Sequence, residues 1–334
     1  MSDAVVYGAG SWGTALAVVL AKAGNRVALI GREKEEMARM AELRENKRYL
    51  PGVVLPPEVS PTADLNCLSV GLVVISVPSQ SVREAARLMK PHLKPDCVIV
   101  NTAKGLESGS YLRLSEVIAD ELPGSPVAVL SGPSHAEEVA RNMPTTVVVA
   151  SDLETAEAVQ DVIMTSNFRV YTNPDVIGVE LGGALKNIIA LCMGIAEGLG
   201  FGYNSKAALM TRGLAEITRL GVALGGNPLT FSGLAGVGDL IVTCTSPYSR
   251  NRRAGLALGQ GQKLETVLQE IGMVVEGVTA ARTAYDLSRE KGISMPITEQ
   301  AYKVLFEGVD PKTAVLDLMG RGKRHELEEL WGHY

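Results

Sequence analysis

Residues 4–25 have the sequence AVVYGAGSWGTALAVVLAKAGN, and this stretch decides the fold of the first half of the chain. A short apolar run ends at Tyr7, a turn with the pattern GxGxxG follows, and an alanine-rich segment comes next. This order of strand, glycine turn and helix is typical of dinucleotide-binding units. Gly8, Gly10 and Gly13 would permit the turn, the approach of the backbone to a pyrophosphate, and close helix packing.

Further apolar runs alternate with helical patterns up to about residue 171. We expect additional strands at residues 26–30, 72–77, 97–102, 127–130 and 145–150. Such alternation predicts an α/β fold with a doubly wound, mostly parallel sheet. After Tyr171 the strand patterns stop, and helical patterns interrupted by glycine continue. We therefore expect a Rossmann-like dinucleotide-binding domain over residues 1–174 and an all-α, substrate-binding domain over residues 175–334.

A single lysine, Lys186, lies in the middle of an apolar stretch at residues 173–203, NPDVIGVELGGALKNIIALCMGIAEGLGFGY. Asn173, Pro174 and Asp175 are typical of a helix start, and the glycines near residue 200 of a helix end. Apolar residues occur almost all round this predicted helix, which indicates a helix buried on most sides. Lys186 should therefore be largely out of water.

The positions three and four residues away from Lys186 hold only glycine, isoleucine and alanine, so its own helix offers no acid. A buried ammonium without a partner is costly. Such a lysine lowers its pKa, pairs with a distant carboxylate, or meets an anionic ligand. The first and third alternatives suit catalysis. A remote carboxylate partner, or a side chain that reaches the nearby surface, would suit a structural lysine. The residues alone leave these alternatives open.

Composition excludes several classes of protein. The chain has 334 residues, 46% of them hydrophobic, which is enough to fill the cores of two domains. The net charge of −5, with lysine and arginine scattered, argues against a nucleic-acid partner. Four cysteines without metal-ligand spacing argue against a metal site or a disulfide framework. We expect a cytoplasmic protein without an export signal or a membrane span.

Three charged positions outside the long helix are candidates for ligand contacts. Arg32, just after the second strand, favours NADP, but Glu33 beside it favours NAD. Lys104 follows another strand at the edge where open α/β sheets bind ligands. The segment SRNRR at residues 249–253 combines arginine, serine and asparagine, which suits a phosphate group. Exposure to water without any ligand is the alternative for all three.

These motifs extend over most of the chain in a fixed order. They are GAGSWGTALA, RYLPG, SVPSQ, AKGLE, LSGPSHAEEVA, VELGGALKNIIAL, AEGLGFGYNSKAALMTRGLAE, TFSGLAGVGDLIVTCTSPYSRNRRAG and VVEG. Together they resemble the bacterial-type NAD(P)-dependent sn-glycerol-3-phosphate dehydrogenases. The resemblance implies reversible reduction of dihydroxyacetone phosphate to sn-glycerol 3-phosphate, for phospholipid synthesis. NADPH is expected to be preferred over NADH, although Glu33 departs from the family pattern and weakens that preference.

The resemblance also implies roles for individual residues. Lys186 would be the general acid and base, and no metal is expected. Residues expected to bind the substrate are Lys104, Gly132, Ser134, Lys186, Asp239, Thr243, Ser249, Arg250 and Asn251. Residues expected to bind the cofactor are Gly8, Gly10, Ser11, Trp12, Gly13, Arg32, Tyr49, Lys104, Ala136, Arg250, Val274 and Glu276.

Two other functions are compatible with parts of the pattern. A different Rossmann dehydrogenase with a helical second domain would oxidise another hydroxy acid or sugar phosphate. A regulator that senses NADP(H) without chemistry would explain the glycine turn, but it leaves Lys186 and the SRNRR segment without a role. The sequence does not determine the oligomeric state, for which a homodimer is the expectation.

Overall fold

Short runs of buried valine, leucine and isoleucine form a single sheet. The computed structural model describes residues 3–323 and 326. Its strands are β1 (Ala4–Tyr7), β2 (Val27–Ile30), β3 (Val59–Thr62), β4 (Leu72–Ile75), β5 (Val98–Asn101), β6 (Val127–Ser131), β7 (Thr145–Ala150) and β8 (Phe168–Asn173). Their order is β3-β2-β1-β4-β5-β6-β7-β8. Only the β6–β7 pair is antiparallel among the described pairs, so the prediction of a mostly parallel sheet is confirmed.

Side chains alternate between the two faces of the sheet. Val6 of β1 and Val74 of β4 pack on one face, whereas Val5 and Val73 pack on the other. The helices that cover the faces are α1 (Ser11–Lys22), α2 (Lys34–Leu43), α3 (Val82–Met89), α4 (Leu114–Glu121), α5 (Ala136–Ala140) and α6 (Leu153–Ile163). Helices on both faces make this a doubly wound sheet, as the sequence predicts.

The two edge strands are absent from the sequence prediction. β3 contains Pro61, which cannot donate a ladder hydrogen bond and is therefore tolerated only at an edge. β8 alternates buried and exposed residues, because only one of its faces meets the core. Neither strand shows the continuous apolar run by which central parallel strands are recognised.

The chain divides into two compact units. The sheet unit comprises Met1–Lys104 and Leu112–Val176, and the helical unit comprises Gly105–Tyr111 and Ile177–Tyr334. The helices from residue 176 onward are α7 (Val176–Gly198), α8 (Tyr203–Ala223), α9 (Pro228–Phe231), α10 (Asp239–Thr245), α11 (Arg250–Gly259), α12 (Leu264–Ile271), α13 (Glu276–Lys291), α14 (Pro296–Phe306) and α15 (Pro311–Met319). The prediction of a helical second half is confirmed.

Helix α7 is the core of the helical unit. Its mean hydropathy over the most apolar window is 1.6, and 83% of that window is buried inside the protein. The segment Pro228–Thr245 is also long and apolar enough to span a membrane, with 44% of its window buried. The predicted helix start at Asn173 is wrong, because Asn173 pairs with Ala150 in the sheet and α7 begins only at Val176.

Glycines bring α7 and α11 into backbone contact. A Cβ on Gly194 of α7 would lie 2.0 Å from the carbonyl oxygen of Arg252, and one on Gly255 of α11 would lie 1.9 Å from that of Leu191. Gly198 has a similar contact, with the carbonyl oxygen of Leu256 at 2.4 Å. Only glycine permits such an approach between two helices. The contact fixes the position of the N-terminal turn of α11 against α7.

The Glu216 side chain on α8 binds the N-terminus of α14. Its carboxylate accepts hydrogen bonds from the backbone N–H of Ile297 at 2.6 Å and of Thr298 at 3.1 Å, and from the Thr298 hydroxyl at 3.1 Å. Burial raises the pKa of Glu216 to about 7, although these hydrogen bonds and Arg219 oppose the shift. Desolvation of the charged carboxylate is the largest cause.

We predict that Gly194→Ala destabilises the protein, because its Cβ cannot fit against α11. The free energy of unfolding should fall by about 1 to 3 kcal/mol, the usual cost of overpacking a core. Gly202→Ala is the control, since a Cβ there meets nothing within 4 Å. Urea unfolding followed by circular dichroism measures both. Equal stability of the two variants would contradict the packing described above.

We also predict a pH dependence that Glu216 causes. A carboxyl whose pKa rises on folding stabilises the native state below its unfolded pKa, and this stability is lost as pH rises through the folded pKa. Between its ordinary pKa of 4.5 and about 7, the free energy of unfolding should fall by about 3 kcal/mol on its account. Glu216→Gln cannot titrate, so urea unfolding at pH 5 and pH 8 should show a smaller difference than in the unmutated protein. The same difference in both would exclude Glu216 as its source.

Candidate active site

The glycine turn follows β1 at the point where the strand order reverses. A Cβ on Gly8 would lie 2.3 Å from the Ser76 carbonyl oxygen at the end of β4, and one on Gly13 would lie 1.9 Å from the Gly8 carbonyl oxygen. Gly8 also has a φ of +119°, which favours glycine. A Cβ on Gly10, in contrast, would meet nothing within 4 Å. Two glycines are thus required by the protein itself, and the third leaves open space for a ligand.

The N-terminal turn of α1 is suited to a phosphate. The cap residue Gly10 has no side chain to satisfy the N–H groups of the first turn, in which Ser11 and Trp12 lie. Helix N-termini of this kind bind the pyrophosphate of dinucleotides. Within residues 3–323 and 326, the buried indole nitrogen of Trp12 has no hydrogen-bond acceptor. The residues present therefore fit a dinucleotide cofactor.

Asn46 links the glycine turn to the loop that contains Tyr49, a residue predicted to contact the cofactor. Its side-chain amide donates to the Ala9 carbonyl oxygen at 3.0 Å and to the Thr14 hydroxyl at 2.8 Å. Its carbonyl oxygen accepts from the backbone N–H of Tyr49 at 3.1 Å. Asn46 is not predictable from the sequence pattern, because its only signal is that it is a polar residue inside the RENKRYLPG segment. Because of these bonds, Tyr49 lies in a loop tied to the glycine turn.

The residues after β2 are exposed. Arg32 and Glu33 both have exposed side chains, and Glu33 is the cap residue of α2. In dinucleotide-binding sheets this position contacts the ribose or its 2′-phosphate. Both side chains are therefore accessible to a cofactor.

Lys104 and the turn after β6 form a second group in the sheet unit. The Lys104 ammonium donates to the Gly132 carbonyl oxygen at 3.1 Å, and the Ser134 hydroxyl donates to the same oxygen at 3.0 Å. Gly132 has a φ of +125°, and a Cβ there would lie 3.1 Å from the Val147 Cα. Ala136 begins α5, which packs against α1. The structure thus brings Lys104, Gly132 and Ser134 together.

Lys186 has its partners on α10. It is 4% exposed, and its ammonium donates to the carboxylate of Asp239 and, at 2.6 Å, to the hydroxyl of Thr243. The Thr243 hydroxyl donates to the backbone carbonyl oxygen of Asp239 at 2.6 Å. Asp239 and Thr243 are themselves buried. Of the alternatives that the sequence left open, the structure contains the distant carboxylate.

The surroundings of this cluster are dry. Burial raises the pKa of the neighbouring Cys244 thiol to about 12, and the Lys186 ammonium opposes that shift only in part. Electrostatic interactions are stronger where water is excluded. The attraction between Lys186 and Asp239 is therefore strong, and a charge that develops beside this pair would interact strongly with it.

The first turn of α11 is oriented by buried amides. The Asn251 side chain donates to the Asn187 carbonyl oxygen at 2.9 Å and accepts from the Gly277 N–H at 2.8 Å. Ser249 is the cap residue of α11, and its hydroxyl accepts from the Arg252 N–H at 3.2 Å. Asn187, the neighbour of Lys186, was missed because an amide in an apolar helix gives no pattern of its own.

Arginines of the SRNRR segment have different environments. Arg252 forms two hydrogen bonds with Glu197, at 2.9 and 2.7 Å, and is therefore structural. Arg253 is exposed. Arg250 donates to the Val274 carbonyl oxygen at 2.9 Å, which brings it near Glu276 at the start of α13. Thus Arg250 and Val274 are in contact, as are Lys186, Asp239 and Thr243.

The fold and these clusters define a class of protein, the two-unit oxidoreductases that use a nicotinamide dinucleotide. Residues 3–157 match the model for the NAD-dependent glycerol-3-phosphate dehydrogenase N-terminus. Residues 175–316 match the model for the C-terminus of the same enzymes. The chain therefore belongs to the NAD-dependent glycerol-3-phosphate dehydrogenase family. The resemblance drawn from the sequence motifs is confirmed, and so is the prediction of an NAD(P)-dependent oxidoreductase.

Individual relatives are similar over nearly their whole length. A glycerol-3-phosphate dehydrogenase of Desulfitobacterium hafniense is 67% identical over 332 residues, which cover 99% of this chain and 94% of the relative. One from Moorella thermoacetica is 62% identical over 97% of each chain. The crystal structure of glycerol-3-phosphate dehydrogenase from Coxiella burnetii superposes with a TM-score of 0.92, at 43% identity over 95% of this chain and 98% of that one.

Proposed function

We propose that this protein catalyses the reversible reduction of dihydroxyacetone phosphate to sn-glycerol 3-phosphate with NADPH or NADH. The cofactor supplies the hydride. The observation that carries the proposal is the buried pair of Lys186 and Asp239 in a chain of this family. A carboxylate partner alone would also suit a structural lysine, but a regulator would leave the match of both halves of the chain to these dehydrogenases unexplained.

Lys186 is the general acid of the reduction. Its ammonium donates a proton to the oxygen at C2 as the negative charge develops there, and in the reverse direction its neutral amine accepts the hydroxyl proton. Asp239 and Thr243 hold the amino group in one orientation, through the hydrogen bonds described above.

The remaining residues bind and orient the substrate. Lys104, positioned by the Gly132 carbonyl oxygen, places a positive charge for the substrate oxygen, and Ser134 borders the same turn. Arg250 and Asn251, with Ser249, bind the phosphate at the end remote from the reacting carbon. Binding energy from a remote group aligns the reacting atoms without taking part in the chemistry.

Both units contribute to both ligands in this proposal. The sheet unit binds the cofactor through the glycine turn, Arg32, Tyr49 and Ala136, and contributes Lys104 and Ser134 to the substrate. The helical unit contributes Lys186 and the first turn of α11 to the substrate, and Val274 and Glu276 to the cofactor. We place the enzyme in the cytoplasm, in the supply of glycerol 3-phosphate to phospholipid synthesis, and propose that it acts as a homodimer. The free state of all four cysteines supports a reducing compartment.

We predict that Lys186→Ala loses at least about a hundredfold in kcat, which is the usual contribution of a general acid. The dissociation constant for NADPH should stay unchanged, since Lys186 acts on the substrate oxygen. The assay is the dihydroxyacetone phosphate-dependent loss of NADPH absorbance. Lys206→Ala, which removes a half-buried lysine of the same unit, is the control. Near-normal turnover of the Lys186 variant would end the assignment.

We predict that Arg250→Ala raises KM for dihydroxyacetone phosphate by about 10- to 100-fold, because a charge-assisted hydrogen bond to the phosphate is lost. Arg253→Ala removes an exposed arginine of the same turn and should leave KM nearly unchanged. Initial rates over a range of ketone concentrations measure both. An unaltered KM in the Arg250 variant would show that the phosphate binds elsewhere.

A further inference from the structure

Glu33 occupies a position that decides between the two cofactors. Its carboxylate follows Arg32 directly after β2, and its side chain is 66% exposed. At this position a carboxylate accepts hydrogen bonds from the ribose hydroxyls of NAD, whereas an arginine accommodates the 2′-phosphate of NADP. A free carboxylate beside Arg32 would repel that phosphate. Its charge must therefore be balanced if NADPH is to bind well.

Arg48 supplies the opposite charge. Its guanidinium lies 3.9 Å from the Glu33 carboxylate and 3.4 Å from the Glu36 carboxylate. The same guanidinium lies over the ring of Tyr49, with 4.9 Å between its central carbon and the ring centroid. One arginine thus contacts two acids of α2 and an aromatic ring predicted to touch the cofactor.

The loop that carries Arg48 is fixed from the other side. The Asn46 carbonyl oxygen accepts from the Tyr49 N–H at 3.1 Å, and the Asn46 amide donates to the Ala9 carbonyl oxygen at 3.0 Å. These bonds position the backbone around Arg48 relative to the glycine turn. Exposed ion pairs add little to folding stability, so the main consequence of the Glu33–Arg48 pair is the local electric field.

We infer that Arg48 is a specificity-determining residue that acts through Glu33. It engages the Glu33 carboxylate and draws that charge toward the loop at residues 44–50. Arg32 is then the dominant charge that a 2′-phosphate meets at the end of β2. This inference rests on the proposed function, because it concerns how the same enzyme discriminates between NADPH and NADH.

Two variants with the same loss of charge test the inference. Arg48→Ala should weaken NADPH binding by about fivefold, the size expected for one like charge released near a phosphate at the surface. NADH binding should change by less than about twofold, since NADH has no 2′-phosphate. Lys47→Ala removes an exposed cation at the adjacent position and should affect neither cofactor. Titration of cofactor fluorescence gives the dissociation constants without any turnover.

A substitution of Glu33 distinguishes an effect of the Glu33–Arg48 pair from a direct effect of the Arg48 charge on the cofactor. Glu33→Gln should change NADPH binding little when Arg48 is present, but should restore it in the Arg48→Ala background. Arg48→Lys should retain most of the preference. Equal losses for NADPH and NADH, an equal effect of Lys47→Ala, or no restoration in the double variant would each overturn the inference.

The failure of the inference can be distinguished from failure of the proposed function. Turnover of dihydroxyacetone phosphate by the unmutated protein tests the function alone. The ratio of the two dissociation constants tests Arg48 alone, because it requires no substrate. A protein that turns over the ketone with an unchanged ratio in Arg48→Ala would keep the function and lose the inference.

Discussion

The ion pair between Lys186 and Asp239 is the interaction on which the helical unit depends. Two opposite charges far from water cost desolvation energy that their attraction only partly returns, and apolar side chains of similar volume would serve stability as well. Removal of either partner would leave an uncompensated charge in the core. That charge would lower the stability much more than replacing the ion pair with apolar side chains would. The distance between α7 and α10 is therefore fixed, because separating the two helices would break this ion pair.

The glycines of α7 and α11 extend this constraint toward the residues that we propose to bind the phosphate. Backbone contact at Gly194 and Gly255 sets the depth of α11 against α7, and the Asn187–Asn251 hydrogen bond sets its position along the helix. Residues at the start of α11 thus acquire a fixed position relative to Lys186. This fixed position suits the proposed role of Arg250 and Asn251, because binding of a remote group aligns the reacting atoms only when the binding residues are held rigidly.

The sequence predicted what is encoded locally. The glycine turn is recognisable because a short strand, three glycines and a helix follow one another within a few residues. Periodicity could not identify the partner of Lys186, since Asp239 lies 53 positions further along the chain. Only the family resemblance pointed to Asp239, as a residue of the substrate pocket. Glu216 gave no signal either, because an acid on an amphipathic helix normally faces water. The edge strand β3 was hidden by Pro61, whose meaning depends on which strands have neighbours.

The two units position their functional groups by different physical means, and this explains why local residue spacing alone predicts the contacts of one better than those of the other. In the sheet unit, glycines at Gly8, Gly13 and Gly132 let the backbone itself form the site, so residue type and spacing are sufficient to recognise it. In the helical unit, the site consists of side chains from α7, α10 and α11 that meet only after folding. The apolar neighbours of Lys186 on α7 account for its burial. The groups that pair with its ammonium come from α10, which packs against it. The choice of partner, rather than the lysine alone, therefore determines whether such a residue is structural or catalytic.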